Sequence, residues 1–155
     1  MIIIKTALTP EYAMTEQYEY FLKNMSVRNP FETECNSDST IFTIWFGITD
    51  IIDKMLSGAN TMDDTFNEEI DTKDINSMFN IVQGMYVNGT RKFLFFYVPP
   101  IDKAPFNSFY PILRSPEDIV KFNEILKSFV EDFKELYPGT NIFIYNSYNE
   151  FHYNL

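Results

Sequence analysis

Thr40-Ile-Phe-Thr-Ile-Trp-Phe-Gly-Ile-Thr-Asp50 is a near-continuous apolar run closed by a Gly-x-Thr-Asp turn. Residues 40–46 are β-rich and apolar on both alternating faces, the pattern of a parallel strand covered on each side. Gly47 permits a tight turn at the strand end. Thr49 or Asp50 can then cap a short helix over 50–57, which Gly58 ends. A second apolar run, Lys92-Phe-Leu-Phe-Phe-Tyr-Val-Pro-Pro100, reads as a strand over 92–98 stopped by the proline pair. A third, Asn141-Ile-Phe-Ile-Tyr-Asn146, follows Tyr137-Pro-Gly139.

Helical patterns separate these strands. Met14, Tyr18, Phe21, Leu22 and Met25 fall at helical spacing within 10–25. Ile75, Met78, Phe79, Val82 and Tyr86 make the apolar stripe of a helix over 74–87, stopped by Asn88-Gly89. Ser115-Pro-Glu-Asp118 is a strong helix start: a serine cap, proline at the first position and acid in the first turn. Its stripe continues through Ile119, Phe122, Leu126, Phe129, Val130 and Phe133. Residues 26–39 and 101–115 read as loops. Residues 59–74 carry six carboxylates, Asp63, Asp64, Glu68, Glu69, Asp71 and Asp74, against one lysine, and read as an acidic surface connection. They lack the alternating oxygens and central glycine of a calcium loop, so no metal site is assigned to them. Strand and helix alternate, which predicts right-handed crossovers and a parallel sheet with helices on both faces. There is no internal repeat and no low-complexity linker.

A chain of 155 residues suits a single domain with a real core, and 45% hydrophobic with 17% aromatic residues opposes disorder. The net charge of −10 excludes nucleic acid and anionic membranes as natural partners, because both need a basic surface. No run is long enough to span a bilayer. Met1-Ile-Ile-Ile-Lys5 is too short for a signal-peptide core, so the chain as written reads as cytoplasmic. The sequons Asn24-Met-Ser26 and Asn88-Gly-Thr90 matter only in a secreted form. Cys35 is the only cysteine, which excludes an internal disulfide and a cysteine-rich zinc site. It lies in a polar loop and reads as a bland thiol. Ser39, Ser57 and Ser115 read as loop or cap serines.

Four segments in order resemble GDSL-type (SGNH) ester hydrolases, over roughly residues 10–153. They are Glu16-Gln-Tyr-Glu-Tyr-Phe-Leu22; Thr40 to Asp50; Asn88-Gly-Thr-Arg-Lys-Phe-Leu-Phe-Phe-Tyr-Val-Pro-Pro-Ile-Asp-Lys-Ala-Pro105; and Phe122-Asn-Glu-Ile-Leu126 through Tyr137-Pro-Gly-Thr-Asn-Ile-Phe-Ile-Tyr145. The Pro-Pro-Ile-Asp-Lys-Ala-Pro stretch is most similar to fungal carbohydrate acetylesterase-like members. The resemblance implies a three-layer α/β/α, flavodoxin-like parallel sheet, here one partial domain over 1–155 truncated to about three strands with flanking helices. It implies acyl transfer on a small ester or an acetylated carbohydrate, with no cofactor and no metal. Members of this type are often secreted.

The family's chemistry uses a Gly-Asp-Ser nucleophile and a histidine base oriented by an aspartate three residues before it. Its oxyanion donors include an asparagine in the block that Thr40 to Asp50 resembles. No Gly-Asp-Ser occurs in this sequence, and the only histidine, His152, has Asn149 three residues before it. The resemblance therefore assigns no catalytic residue here. It places Thr49 at the oxyanion asparagine's position, with Gly47 and Asp50 at the site rim.

Three readings follow. The first is an ester hydrolase fragment, inactive alone. The second is a non-catalytic carbohydrate- or protein-binding remnant of the same fold. The third, an unrelated flavodoxin-like binding domain, ranks last because no strand is followed by a glycine-rich phosphate loop. The family's nucleophile-bearing strand would lie beside residues 41–46. Without it, Ile41 to Phe46 becomes an exposed, uncharged edge with a tendency to self-associate, unless Ile2-Ile3-Ile4 fills the gap.

Overall fold

A computed structural model of the chain describes residues 2–5, 13–24, 37–56, 64–105 and 116–154, with side chains described over 13–24, 37–52, 68–105 and 116–152. Cys35, Ser57, Gly58, Ser115, Met25 and Ser26 of the first sequon, and the loop and connection residues 25–36, 57–63 and 106–115 lie outside the described residues.

Four strands form one sheet in the order β1-β2-β3-β4, with β1 at Ile2–Lys5, β2 at Phe42–Trp45, β3 at Lys92–Phe96 and β4 at Asn141–Tyr145. Every pairing is parallel. The helices are α1 (Met14–Asn24), α2 (Ile48–Leu56), α3 (Asp64–Val87), α4 (Pro116–Leu136) and α5 (Ser147–Asn154), with a short 3-10 turn at Ile101–Lys103. The three expected strands are present, and the parallel sheet flanked by helices is consistent with a truncated α/β/α fold.

The edge expected to lie open beside β2 is occupied. Ile2 to Lys5 pair in register with Phe42 to Trp45. A run of β-branched residues satisfies β2's backbone groups from within the chain.

The strand order runs in chain sequence, always one step in the same direction. Right-handed crossovers that all step one way put their helices on one face. Ring contacts trace this layering. Phe21 of α1 meets Phe42 edge-on at 5.4 Å, Phe79 of α3 stacks on Phe95 at 5.4 Å, and Phe133 of α4 meets Phe93 at 6.1 Å. The register places Phe42 beside Phe93 and Ile44 beside Phe95, so all these partners share one sheet face. Among the described residues, α1, α3 and α4 pack on one side of the sheet. Thr43, Trp45, Leu94, Phe96, Phe143 and Tyr145 point to the other.

A second correction concerns the acidic stretch. α3 begins at Asp64, so 64–74 is helix rather than connection. Asp64, Glu68 and Glu69 fall in its first turns, where carboxylates complement the positive helix end. Ile75 continues into a stripe with Phe79, Val82 and Met85 that is buried against the sheet. Charge density masked a helical period that the carboxylates themselves support.

α3 ends where the sequence places its stop. Thr90 N–H donates to Met85 C=O at 3.0 Å, and Asn88 Nδ2 donates to Gly84 C=O at 2.9 Å. Arg91 then covers the end. Its guanidinium donates to the carbonyls of Tyr86 at 2.7 Å and Thr90 at 2.8 Å, and lies 4.1 Å from the centre of the Tyr86 ring. A cation is favourable against the negative end of a helix.

At the opposite end of the sheet, β3 is tied to α4 by one side chain. Asn123 is 5% exposed. Val98 N–H donates to its Oδ1 at 2.8 Å, and its Nδ2 donates to Val98 C=O at 3.0 Å. Val98 is past the last ladder residue, and Pro99 has no N–H to offer. The amide supplies the pairing that a further strand residue would have made.

Asn123→Leu is expected to destabilise the fold by about 2–4 kcal/mol, because two buried backbone groups lose their partners. Asn123→Asp keeps the acceptor, loses the donor and buries a charge, so it should be no better than the leucine variant. Urea unfolding followed by Trp45 fluorescence measures both. A loss below about 0.5 kcal/mol for Asn123→Leu would show that the clamp is dispensable.

Candidate functional site

Open parallel sheets hold ligands beyond the carboxyl ends of their strands. Two clefts lie there among the described residues. The larger, about 370 Å³, sits beyond β2 and between α1, α2 and α3; Met14, Phe46, Gly47, Asp50, Asp74 and Phe122 are among its lining residues. The smaller, about 190 Å³, lies beyond β3 and β4 and is lined in part by Tyr97, Asn123, Glu124, Asn146 and Tyr148.

Gly47 shapes the first cleft. Its φ is +108°, and a Cβ there would lie 2.6 Å from two atoms of the Phe122 ring and 2.8 Å from a Val98 methyl. The residue is thus glycine for two reasons, backbone conformation and space. It lets β2 turn directly into α2, with Ile51 N–H donating to Gly47 C=O at 2.9 Å. α2 starts at Ile48, so Thr49 and Asp50 belong to its first turn. The expectation that one of them caps the helix from outside is corrected: the chain enters through the glycine.

The three residues singled out in the sequence are therefore adjacent, as their spacing requires. Gly47 and Asp50 both line the cleft, whereas Thr49 is half-buried and is not among the lining residues. Asp74 faces the same cleft from α3. The sequence places Asp74 at the end of the acidic stretch and the start of the helix, without a site role. Its position one residue before buried Ile75, at the edge of the apolar stripe, was the available signal.

His152 is remote from a base's role. It lies exposed on α5, stacked at 5.8 Å on Tyr148 one turn earlier, with Nε2 3.3 Å from Lys103 Nζ. It joins α5 to the 3-10 turn after Pro99-Pro100. The helix itself was not anticipated. Asn146 initiates it, its Oδ1 accepting from Asn149 N–H at 2.9 Å, and Asn-Ser at 146–147 was a legible cap signal. Ser147 is buried and donates through its hydroxyl to Tyr97 C=O, fixing α5 against the end of β3.

Tyr97 and Tyr148 face the smaller cleft as neutral phenols. Burial, then the nearby Glu131 and Glu124 carboxylates, raise the Tyr97 pKa above its ordinary value of 10.0. Burial, then Asp102 and Glu117, raise that of Tyr148. Both remain hydrogen-bond donors throughout the physiological range. The two clefts together present hydroxyl, amide and carboxylate groups beside apolar side chains. No described serine stands beside a histidine there.

No protein-family model matches the chain. It is similar to an acetylesterase of Thermothelomyces thermophilus, 27% identical over 119 residues, which cover 72% of this chain and 36% of that protein. The chain thus spans little more than a third of the length of the curated relative it matches. The similarity supports an esterase relationship.

Gly47→Ala is expected to cost about 2–4 kcal/mol, combining a strained φ with overlap against Phe122 and Val98. Adding Phe122→Leu should recover part of that loss by making room. Urea midpoints of the single and double variants test this, and strict additivity would count against the contact.

The raised tyrosine pKa values carry a sign. A folded state that holds its phenolic protons more tightly than the unfolded chain is fully favoured below pH about 10, and that advantage disappears as pH rises through the raised values. Stability should therefore fall above pH 10. The fall should be shallower in a Tyr97→Phe, Tyr148→Phe double variant, measured by urea midpoint from pH 8 to 11. Identical slopes would remove these two hydroxyls from the account.

Proposed function

We propose that this chain is a partial SGNH (GDSL-type) ester hydrolase domain that supplies the oxyanion-side wall of an acetylesterase site but not its nucleophile. The single observation that carries the reading is the β2–Gly47–α2 turn. It opens on a cleft beyond a parallel strand, within the very segment that resembles the family's oxyanion block. The acetylesterase similarity supports the same chemistry.

In this reading Thr49 takes the place of the oxyanion asparagine, and Gly47 and Asp50 form the rim. A threonine hydroxyl can donate to a developing oxyanion, but it reaches less far than an amide, and loss of one such donor costs about 10²–10³ in rate. The substrate class is a small ester, with acetyl esters of carbohydrate as the specific candidate. The 155 residues contain no Gly-Asp-Ser, and His152 Nε2 lies 3.3 Å from Lys103 Nζ. The chain by itself is therefore inactive.

Two assays test this. The isolated chain should turn over an activated acetyl ester no faster than a heat-denatured control, and a serine-directed phosphonate should leave its mass unchanged. Residues 40–145 should also function when grafted in place of the matching segment of the Thermothelomyces acetylesterase, with activity that depends on the host's serine. In that chimera Thr49→Asn should raise the rate by about tenfold or more. A folded chimera that is inactive with and without Thr49→Asn would sink the assignment, as would phosphonate-sensitive turnover by the isolated chain.

A further inference from the structure

The smaller cleft takes no part in the proposed chemistry. It lies between the end of β3, α4 and the β4–α5 junction, and described residues of all three line it. Tyr97 and Tyr148 supply phenols, Asn123, Asn146 and Asn149 supply carboxamides, and Glu124 supplies a carboxylate. The supports of these groups are fixed. Asn123 holds Val98 through both ends of its amide. Asn146 Oδ1 accepts from Asn149 N–H at 2.9 Å, and the Ser147 hydroxyl donates to Tyr97 C=O, which ties the entry of α5 to the end of β3.

We propose that this cleft binds the ring of a neutral carbohydrate. Charge, hydrogen bonding and size each narrow the ligand. Among the described lining residues there is no lysine, arginine or histidine, and Glu124 adds a negative charge in a chain of net −10. An anion would meet repulsion with no compensating cation. A cation would find a single carboxylate, exposed on α4 where water and salt screen it. The polar groups are mixed: the carboxylate only accepts, whereas phenols and carboxamides both donate and accept. A ligand that matches this set offers donors and acceptors side by side, as adjacent hydroxyls on a sugar ring do. Glu124 can accept from such hydroxyls in charge-assisted bonds. The tyrosine rings suit the less polar face of the sugar, and their hydroxyls its rim.

Size sets the strength. At about 190 Å³ the cleft is smaller than ordinary small-molecule sites of about 300–1,000 Å³, so it takes one ring and not a chain. Roughly a dozen non-hydrogen atoms at ordinary ligand efficiency correspond to a Kd on the order of 1–10 mM. The site needs neither nucleophile nor base, so it stands apart from the ester hydrolase reading.

Titration of the full chain with methyl glucoside, up to about 50 mM and followed by amide NMR spectra, tests this. Saturable shifts are expected at Tyr97, Glu124, Asn146, Tyr148 and Asn149. The anionic methyl glucuronide should bind about tenfold more weakly or worse. Tyr97→Phe and Glu124→Gln keep the shape of the cleft and remove one hydroxyl or one charge. Each should weaken methyl glucoside binding about threefold to tenfold while preserving the far-UV circular dichroism. Glu124 is exposed on α4, so its variant tests the site even if Tyr97→Phe fails to fold. Absence of shifts at about 50 mM overturns the proposal, as do shifts centred on another surface. Unchanged affinity in the folded Glu124→Gln variant, or equal binding of the glucuronide, overturns it as well.

Discussion

The fixed hand of the crossover between parallel strands governs this molecule. Four strands taken in chain order, each one step further across the sheet, place α1, α3 and α4 on the same side. Everything else about the core follows. One sheet face must satisfy three helices, and it does so with Phe42, Ile44, Phe93 and Phe95, all nearly inaccessible to solvent. α3 and α4 meet over that face through Phe79, Phe129 and Phe133, whose rings lie 5.5 and 5.7 Å from Phe79. Among the described residues, Trp45, Phe143 and Tyr145 on the opposite face are partly exposed to solvent.

The candidate site rests on this layering through two small devices. Gly47 brings the α2 entrance close against Phe122, which is possible because no Cβ intervenes. One residue later on α4, Asn123 grips the backbone of Val98. Consecutive positions of one helix thus fix the exits of two neighbouring strands, β2 and β3. A polar side chain in that apolar setting is tolerated because both halves of its amide are paired. The exits cannot drift apart without breaking a packed ring contact or leaving two buried backbone groups unpaired. That is the kind of rigidity a binding cleft needs, and the single cysteine leaves no internal disulfide to provide it.

The parallel strands β2, β3 and β4 were legible because their residues are apolar, β-branched or aromatic and each is closed by a turn signal at Gly47, Pro99 or Asn146. The stripes of α3 and α4 were legible from the period of Ile75, Phe79 and Val82 and of Ile119, Phe122 and Leu126. Layering was not, since periodicity says that a face is buried but not which helices share it. Phe143 and Trp45 read as core residues by composition, and only strand order reveals that they face outward. The first half of α3 was obscured by carboxylates whose helix-supporting position is invisible until the helix is placed. In the site, Gly47 and Asp50 were found by their place after a buried strand. Asn123 was passed over because a lone asparagine within an apolar stripe has no sequence signature for a partner twenty-five residues away.

β1 bears directly on how the esterase reading and this structure fit together. In the SGNH reading the position beside β2 belongs to the strand that delivers the nucleophilic serine. Here Ile2 to Lys5 hold that position in parallel register. The residues that follow, Thr6-Ala-Leu8, carry no Gly-Asp-Ser, so the place is filled without the chemistry. Four residues form a short strand, whose pairing is opposed by the backbone entropy of ordering it, about 1–2 kcal/mol per residue. A longer strand of greater apolar content would compete for the same edge on favourable terms. The fold of β2, α2, β3 and α4 does not depend on which strand wins, because the Gly47–Phe122 and Asn123–Val98 contacts lie on the other side of β2. The β2–Gly47–α2 wall of the larger cleft is therefore set independently of which strand occupies that edge.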